Sequence, residues 1–366
     1  MQRKLNLQDE RGFSLIELMI AVGVMVIVSA AVIQVMKGSM NISSANYELT
    51  DAQQNLRTAQ EYINRDLMNA GDGLRGISEI RVGTNFVTNY LTLTPLDDAA
   101  ATVDSKDLAI VTSDNQVPVG TAVLGANPAT TVRGTTDADR TDRQNILEVD
   151  PQFITLPPTS IDITGTVVTL PTGTDMTQFT PNEIYFFSSA RGGTFATLTS
   201  VNAGATQLTF ATGVTDPYGL NLASTSNNIS YISTSPVGSP IPTAMTRMRI
   251  IHYYVNASGY LMRRVFGAKC LPAPATCSGF MESVIAEHVT NVQFKYSLDM
   301  NDADGNVVQP VDTLTTKAQR LAIRQVEVTV TVETPHVLPS GDRATLRMTT
   351  SSSVRNLQFR RAQQPT

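Results

Sequence analysis

The chain has 366 residues, 42% hydrophobic, 16% charged and 6% aromatic, with 27 Lys and Arg against 32 Asp and Glu for a formal charge of −5. That length allows two or three domain cores, and the weakly acidic balance lacks the basic footprint that a phosphate backbone requires, so no nucleic-acid partner is expected. Three widely separated histidines (His252, His288, His336), two cysteines and no tryptophan leave little material for metal cages or imidazole catalysis. No catalytic residue is assigned, and the expectation is a protein that is not an enzyme. About 46 threonines, mostly beyond residue 80, join Val and Ile in favouring pleated strands over helices for most of the chain.

In chain order, the first element is an apolar run from Phe13 to Met36, FSLIELMIAVGVMVIVSAAVIQVM, whose only ionisable side chain is Glu17. As a helix it would extend about 36 Å, enough to cross a bilayer. Arg3, Lys4 and Arg11 precede it, and basic flanks stay cytoplasmic, which predicts export of the bulk of the chain. Two plainer readings are a secretory signal peptide, with a small-residue site at Val28-Ser29-Ala30, and a simple signal anchor. The run exceeds the roughly 7–15 apolar residues of a signal peptide, and neither reading accounts for Glu17. A carboxylate one turn inside such a span costs a few kcal/mol and calls for a partner. The span holds no cation, so the candidate is a terminal α-amine, created by a cut just before Phe13 and supplied by a neighbouring subunit.

The segment GFSLIELMIA, Gly12 to Ala21, resembles the processing site of type IV prepilins and type II secretion pseudopilins. The resemblance implies a leader, 1–12, removed by a prepilin peptidase between Gly12 and Phe13, with methylation of the new Phe13 amine. It also implies that Glu17 pairs with the N-terminal amine of an adjacent subunit during assembly. Members of this family often carry a proline near the middle of the apolar helix. Here no proline falls between Phe13 and Leu93, which puts the usual kink in doubt, although Gly23 allows local bending.

Residues 13–36 thus form the membrane-spanning and filament-core segment, and 37–76 continue the helix in amphipathic form. Leu49, Ala52, Leu56, Ala59, Ile63, Leu67 and Ala70 recur at spacings of three and four, while Asp51, Arg57, Glu61 and Arg65 lie off that stripe. Gly71 and Gly73 end it, predicting one helix of about 58 residues from Phe13 to Ala70. In pilins this half is the spine under an antiparallel sheet. YINRDLMNAG, Tyr62 to Gly71, is similar to the helix ending of PilW-type minor pilins.

Residues 77–240 read as a β-rich head. ISEIRVG, NYLTLTP, DLAIVTS, IDITGTVVTLP, EIYFFSS, TFATLTSV and TQLTFAT are strand-like runs between turn residues, suggesting an all-β sandwich or small barrel. Gly192-Gly193 fits a hairpin turn, and the Thr-rich stretch Asn127 to Asn145 is expected to be an exposed loop. Three prolines within Ser233 to Thr243 interrupt regular structure.

The last region, 241–366, is expected to be antiparallel β. Two strand-like runs flank Asn256-Ala257-Ser258-Gly259 as a hairpin. QVEVTVTVET alternates, with Val326, Val328, Val330 and Val332 on one face and Glu327, Thr329, Thr331 and Glu333 on the other. LRMTTSSSVRNLQF is the expected last strand, and this ending is similar to that of PilW-like proteins. Cys270 and Cys277, with Pro272 and Pro274 between them, read as a disulfide in an exported protein; zinc would need two more ligands. Asp299, Asn301, Asp302, Asp304 and Asn306 gather oxygen ligands around Gly305. They read as an exposed hairpin tip, with Ca²⁺ as the alternative; no register fits an EF-hand. No other cofactor is expected.

The expectation is an α+β protein of type IV pilin fold: a long N-terminal helix packed on antiparallel sheet, with a large additional β-rich head. By resemblance it is a PilW-like minor pilin that primes assembly of type IV pili and sits at or near the tip. A minor pseudopilin of a type II secretion system is the alternative, and a membrane-tethered exported adhesin or enzyme the second. Expected partners are other minor pilins, the major pilin, prepilin peptidase, the inner-membrane assembly platform and a tip adhesin. The expected location is the bacterial inner membrane with the head in the periplasm, then the filament.

Overall fold

The computed structural model describes residues 14–74, 80–83, 86–91, 104–105, 110–118, 120–121, 123–125, 140–213, 216, 218–221, 228–235, 237–267, 280–300, 310–354 and 356. The chain divides into two compact units, one comprising 1–51 with Thr334–Ala344 and the other 52–333 with 345–366.

Helix α1 runs unbroken through Leu15–Asn69, 55 residues. It has no proline, and its Ala, Leu, Met and Gln residues lose little side-chain freedom in a helix. In the first unit its apolar side chains stay in solvent: Met25 is 70% and Val35 73% exposed. The same unit contains Thr334–Ala344, a compact turn. Its neck is closed by Thr334 N–H donating to the Ala344 carbonyl, 2.9 Å, and Ala344 N–H donating to Thr334 Oγ1, 3.1 Å.

In the second unit the end of α1 is a buried spine. Ala52, Leu56, Ala59, Ile63, Leu67 and Ala70 are all within a few per cent of complete burial, in one core with residues of the sheets. Leu49 is only half-buried. The helix stops where Gly71, at φ +72°, turns its N–H onto the Leu147 carbonyl at 2.8 Å, a left-handed position that favours glycine.

The remaining elements, in chain order, are β1 (Ile80–Gly83), a π-helical turn at Val87–Leu91, β2 (Asp104–Ser105), β3 (Val111–Asp114), β4 (Arg143–Val149), β5 (Ser160–Ile161) and β6 (Val167–Thr169). There follow β7 (Ile184–Ser189), β8 (Gly192–Asn202), β9 (Gln207–Phe210), α2 (Ile229–Ser233), β10 (Ala244–Val255), β11 (Leu261–Phe266), β12 (Phe280–Ala286), β13 (Val289–Leu298), α3 (Lys317–Leu321), β14 (Ile323–Glu333) and β15 (Thr345–Ser353). Among the described residues twelve strands form one sheet, in the order β12-β11-β10-β7-β8-β9-β6-β5 with β1 to β4 attached off this path. A separate three-stranded sheet has the order β13-β14-β15. The α+β class is as expected. Pairing is antiparallel except for β1, which lies parallel to β8.

The β10–β11 hairpin and the strands at EIYFFSS, TFATLTSV and TQLTFAT form where the sequence pattern places them. Val326, Val328, Val330 and Val332 are all fully buried, as their alternation requires. Three local expectations are corrected. Asn89 to Leu91 of NYLTLTP are not strand: Phe86 and Tyr90, four apart, stack at 5.8 Å, and the Leu91 carbonyl accepts from the Thr112 and Asn145 side chains. Arg143 to Asn145 are not exposed loop but the start of β4, fully buried, because Arg143 pairs with Asp114 across to β3 at 2.7 Å. The turn between β7 and β8 is Ala190-Arg191, with Gly192 and Gly193 already in strand.

Nor do the described strands before the proline-rich break close on themselves as a sandwich or barrel. β7 is hydrogen-bonded to β10 beyond the break. β8 changes partner midway, Gly192 to Thr197 pairing with β7 and Leu198 to Asn202 with β9, across a register shift between Leu198 and Ser200. This carries β9, β6 and β5 around a second core built on Phe187, Ala196, Leu198, Leu208 and Phe210.

Candidate functional site

The N-terminal helix holds the chemistry that the sequence singles out. Its first turn is a reciprocal cap: the Glu17 carboxylate accepts the Ser14 N–H at 3.0 Å, and the Ser14 hydroxyl oxygen accepts the Glu17 N–H at 3.2 Å. A carboxylate here faces otherwise unsatisfied N–H groups and the positive end of the helix dipole. Both residues are exposed. Downstream, α1 is long and apolar enough to cross a membrane by length and composition, and none of its most apolar window is buried. Gly23 and Gly38 have open space around them, and helical hydrogen bonding continues through both. Leu15–Asn69 is thus a single helix with no break at Gly23. Sequence reasoning missed the role of Ser14, although Ser-x-x-Glu ahead of an apolar run is a recognisable helix start.

Gly12 and Phe13 lie outside the described residues, as do Cys270, Cys277, Asn301, Asp302, Asp304 and Asn306. Asp299 is described; its N–H donates to the Ala322 carbonyl at 2.7 Å. Among the described residues no group of three His, Cys, Asp or Glu side chains is placed to hold a metal ion.

The three histidines are dispersed. His252 is fully buried on β10 with Nδ1 2.6 Å from Asn145 Oδ1; burial, reinforced by Arg143 and Arg264, holds its pKa well below the usual range, so it is neutral. His288, at φ +56°, sits between β12 and β13. His336, in the turn of the first unit, places Nδ1 2.9 Å from Glu48 Oε1 on α1, and its backbone N–H donates to Glu48 Oε2 at 3.3 Å. That contact has no local sequence signal, since its partners are 288 residues apart.

The second unit also holds a buried ionic network. Arg247 bridges Asp150 at 2.6 Å and Glu183 at 3.0 Å, and Tyr185 donates to Glu183 at 2.6 Å. Asp66 on α1 accepts from Tyr253 and from Arg263, each at 2.6 Å. Nearby Glu148 has its pKa pushed up to about 7, by burial first and then by the Asp66 charge. Through Asp66 the end of α1 is fixed to β10 and β11.

Comparison with known proteins finds one family match: residues 7–33 match the prokaryotic N-terminal methylation motif. The matched segment includes Gly12, Phe13, Glu17 and the cap at Ser14. No curated protein and no solved structure matches the chain. The match does not extend to the segments that resemble PilW-like proteins, Tyr62 to Gly71 and the C-terminal strands. Such a class III signal implies processing by a prepilin peptidase and assembly with other pilins, and an apolar helix behind it accords with anchoring in the inner membrane. By the signal at residues 7–33, the chain is a type IV pilin-like prepilin.

Proposed function

We propose that the protein is a minor pilin, a non-enzymatic subunit that joins other minor pilins to prime a type IV pilus and sits at or near its tip. The observation that carries this reading is the pairing of a methylation-motif signal and an unburied apolar half-helix with a β-rich region running from about residue 80 to 353. A region of that size packs more easily once at a filament end than repeatedly along a shaft. In this reading the leader is cut between Gly12 and Phe13, Phe13 is methylated, and Glu17 exchanges part of its capping bond for the N-terminal amine of a neighbour. An ion pair so placed penalises misregistered helix packing. The β-rich region lies in the periplasm before assembly, and the major pilin, the assembly platform and a tip adhesin are the remaining partners.

A pseudopilin of a type II secretion system would carry the same signal, and is the second reading. Affinity purification of the full chain from cross-linked cells distinguishes them: pilus subunits support the first reading, and secretion-system pseudopilins without pilus subunits overturn it.

A further inference from the structure

We propose that the turn Thr334–Ala344 is a second assembly surface, seated against a neighbouring pilin-like subunit whose apolar helix packs along the exposed half of α1; this rests on the assembly reading above.

The turn is longer than its strands require. β14 and β15 stay paired up to Glu333 opposite Thr345, where a two-residue hairpin turn would suffice. Instead, the chain from Thr334 to Ala344 is inserted there and held in a defined shape. Leu338 N–H donates to the Asp342 carbonyl at 2.8 Å, and Gly341 N–H donates to the Leu338 carbonyl at 2.9 Å. Ordering those residues costs conformational entropy, and slack connection is not what results.

The turn is also anchored at a particular place. His336 meets Glu48 through both its ring and its backbone N–H, and Glu48 is buried although the helix around it is largely exposed. N-terminal to it on α1 lie Tyr47, 76% exposed, and then Ile42 and Met40, also exposed. At 1.5 Å per residue these sit about 2 to 12 Å along the helix from the Glu48 anchor, so a subunit packed on that stretch also meets the turn. The surface turned outward suits such a neighbour: Val337 is exposed, flanked by the exposed His336 ring, Pro339 and Ser340. Val337 would give that contact an apolar centre with a polar rim. The occupant is thus the flank of another pilin-like helix, continuous with the packing of residues 15–47.

The test uses the full chain in cells that assemble the filament. One variant replaces residues 335–343 with Asn-Gly, keeping the Thr334 and Ala344 neck; the other is Val337→Arg. Both are expected to be processed and to reach wild-type protease resistance, while their share in sheared filaments falls about tenfold or more. Wild-type incorporation of Val337→Arg overturns the proposal, even if the shortened variant misfolds. Absence of wild-type protein from filaments defeats the assembly reading itself, and with it this inference. Normal entry of wild type and both variants defeats the inference alone.

Discussion

At the residue scale, Glu17 has two kinds of partner, and the physics of the bilayer connects them. A charged side chain costs about 2.5–3.5 kcal/mol at the centre of an apolar span on insertion scales and less towards its ends, and the Ser14 N–H compensates part of the cost at Glu17 within the chain. Glu17→Gln keeps a side chain able to accept this N–H but removes the charge, so it should leave the helix start intact and still impair filament entry. Quantifying the variant in sheared filaments checks this; wild-type incorporation contradicts a charge-based role.

Glu148 and Asp142 are legible only in the folded chain. Burial, then the charge of Asp66, raises Glu148 to about 7. Burial raises Asp142 to about 6 against the N–H donors of Gln116 and Phe294, with Asp312 and Asp114 adding to the rise. Because both folded values lie above the unfolded ones, their stabilising contribution is complete below about pH 4 and is lost as pH rises through 6 to 7. Denaturant titration should therefore show stability falling between about pH 5 and 7.5. Glu148→Gln should flatten that fall, by on the order of 2 kcal/mol; an unchanged slope contradicts the assignment.

At the element scale, α1 is one helix with two solvents. Its first half presents apolar residues on every side, the pattern of a segment meant for lipid or for other helices; from Ala52 onward the apolar residues, Met68 apart, gather in one stripe, and that stripe is buried. Ile63 is fully buried in the core shared with β10 and β14, so Ile63→Ala should cost about 2–5 kcal/mol. Asp66→Ala should cost about 3–5 kcal/mol, because it strands Arg263 and the Tyr253 hydroxyl. Thermal melts of the detergent-solubilised chain check both. A shift no larger than that of a surface substitution such as Arg57→Ala would contradict the spine role.

How far the elements could be read ahead follows from the range of their causes. α1, the hairpin at Asn256-Gly259 and the valine alternation of β14 are set by neighbours within a few residues, and all were readable. Tyr90 looked like strand because its β propensity is high; its ring instead packs on Tyr218 at 4.9 Å and Phe266 at 5.4 Å, residues far along the chain. Arg143 looked like exposed loop because charge normally marks surface, and only the pairing of β3 with β4 supplies the Asp114 that makes its burial tolerable. The parallel pairing of β1 with β8 and the turn anchored at Glu48 likewise depend on residues with no local signal.

At the scale of the whole molecule, the assembly signal is confined to the first tenth of the chain, while the described residues beyond α1 are mainly β structure with three hydrophobic clusters. The signal could be recognised from sequence because a peptidase and a membrane read contiguous residues. The large sheet could not, because its order joins strands before and after the proline-rich break. The division of labour proposed here gives the exposed half-helix the task of assembly and the β-rich region the task of presenting a surface. Its most direct test is mass spectrometry of the mature N-terminus in cells with an active prepilin peptidase. The account predicts a chain beginning at N-methylated Phe13; a chain left uncut, or cut instead after Ala30 as a secretory signal would be, contradicts it.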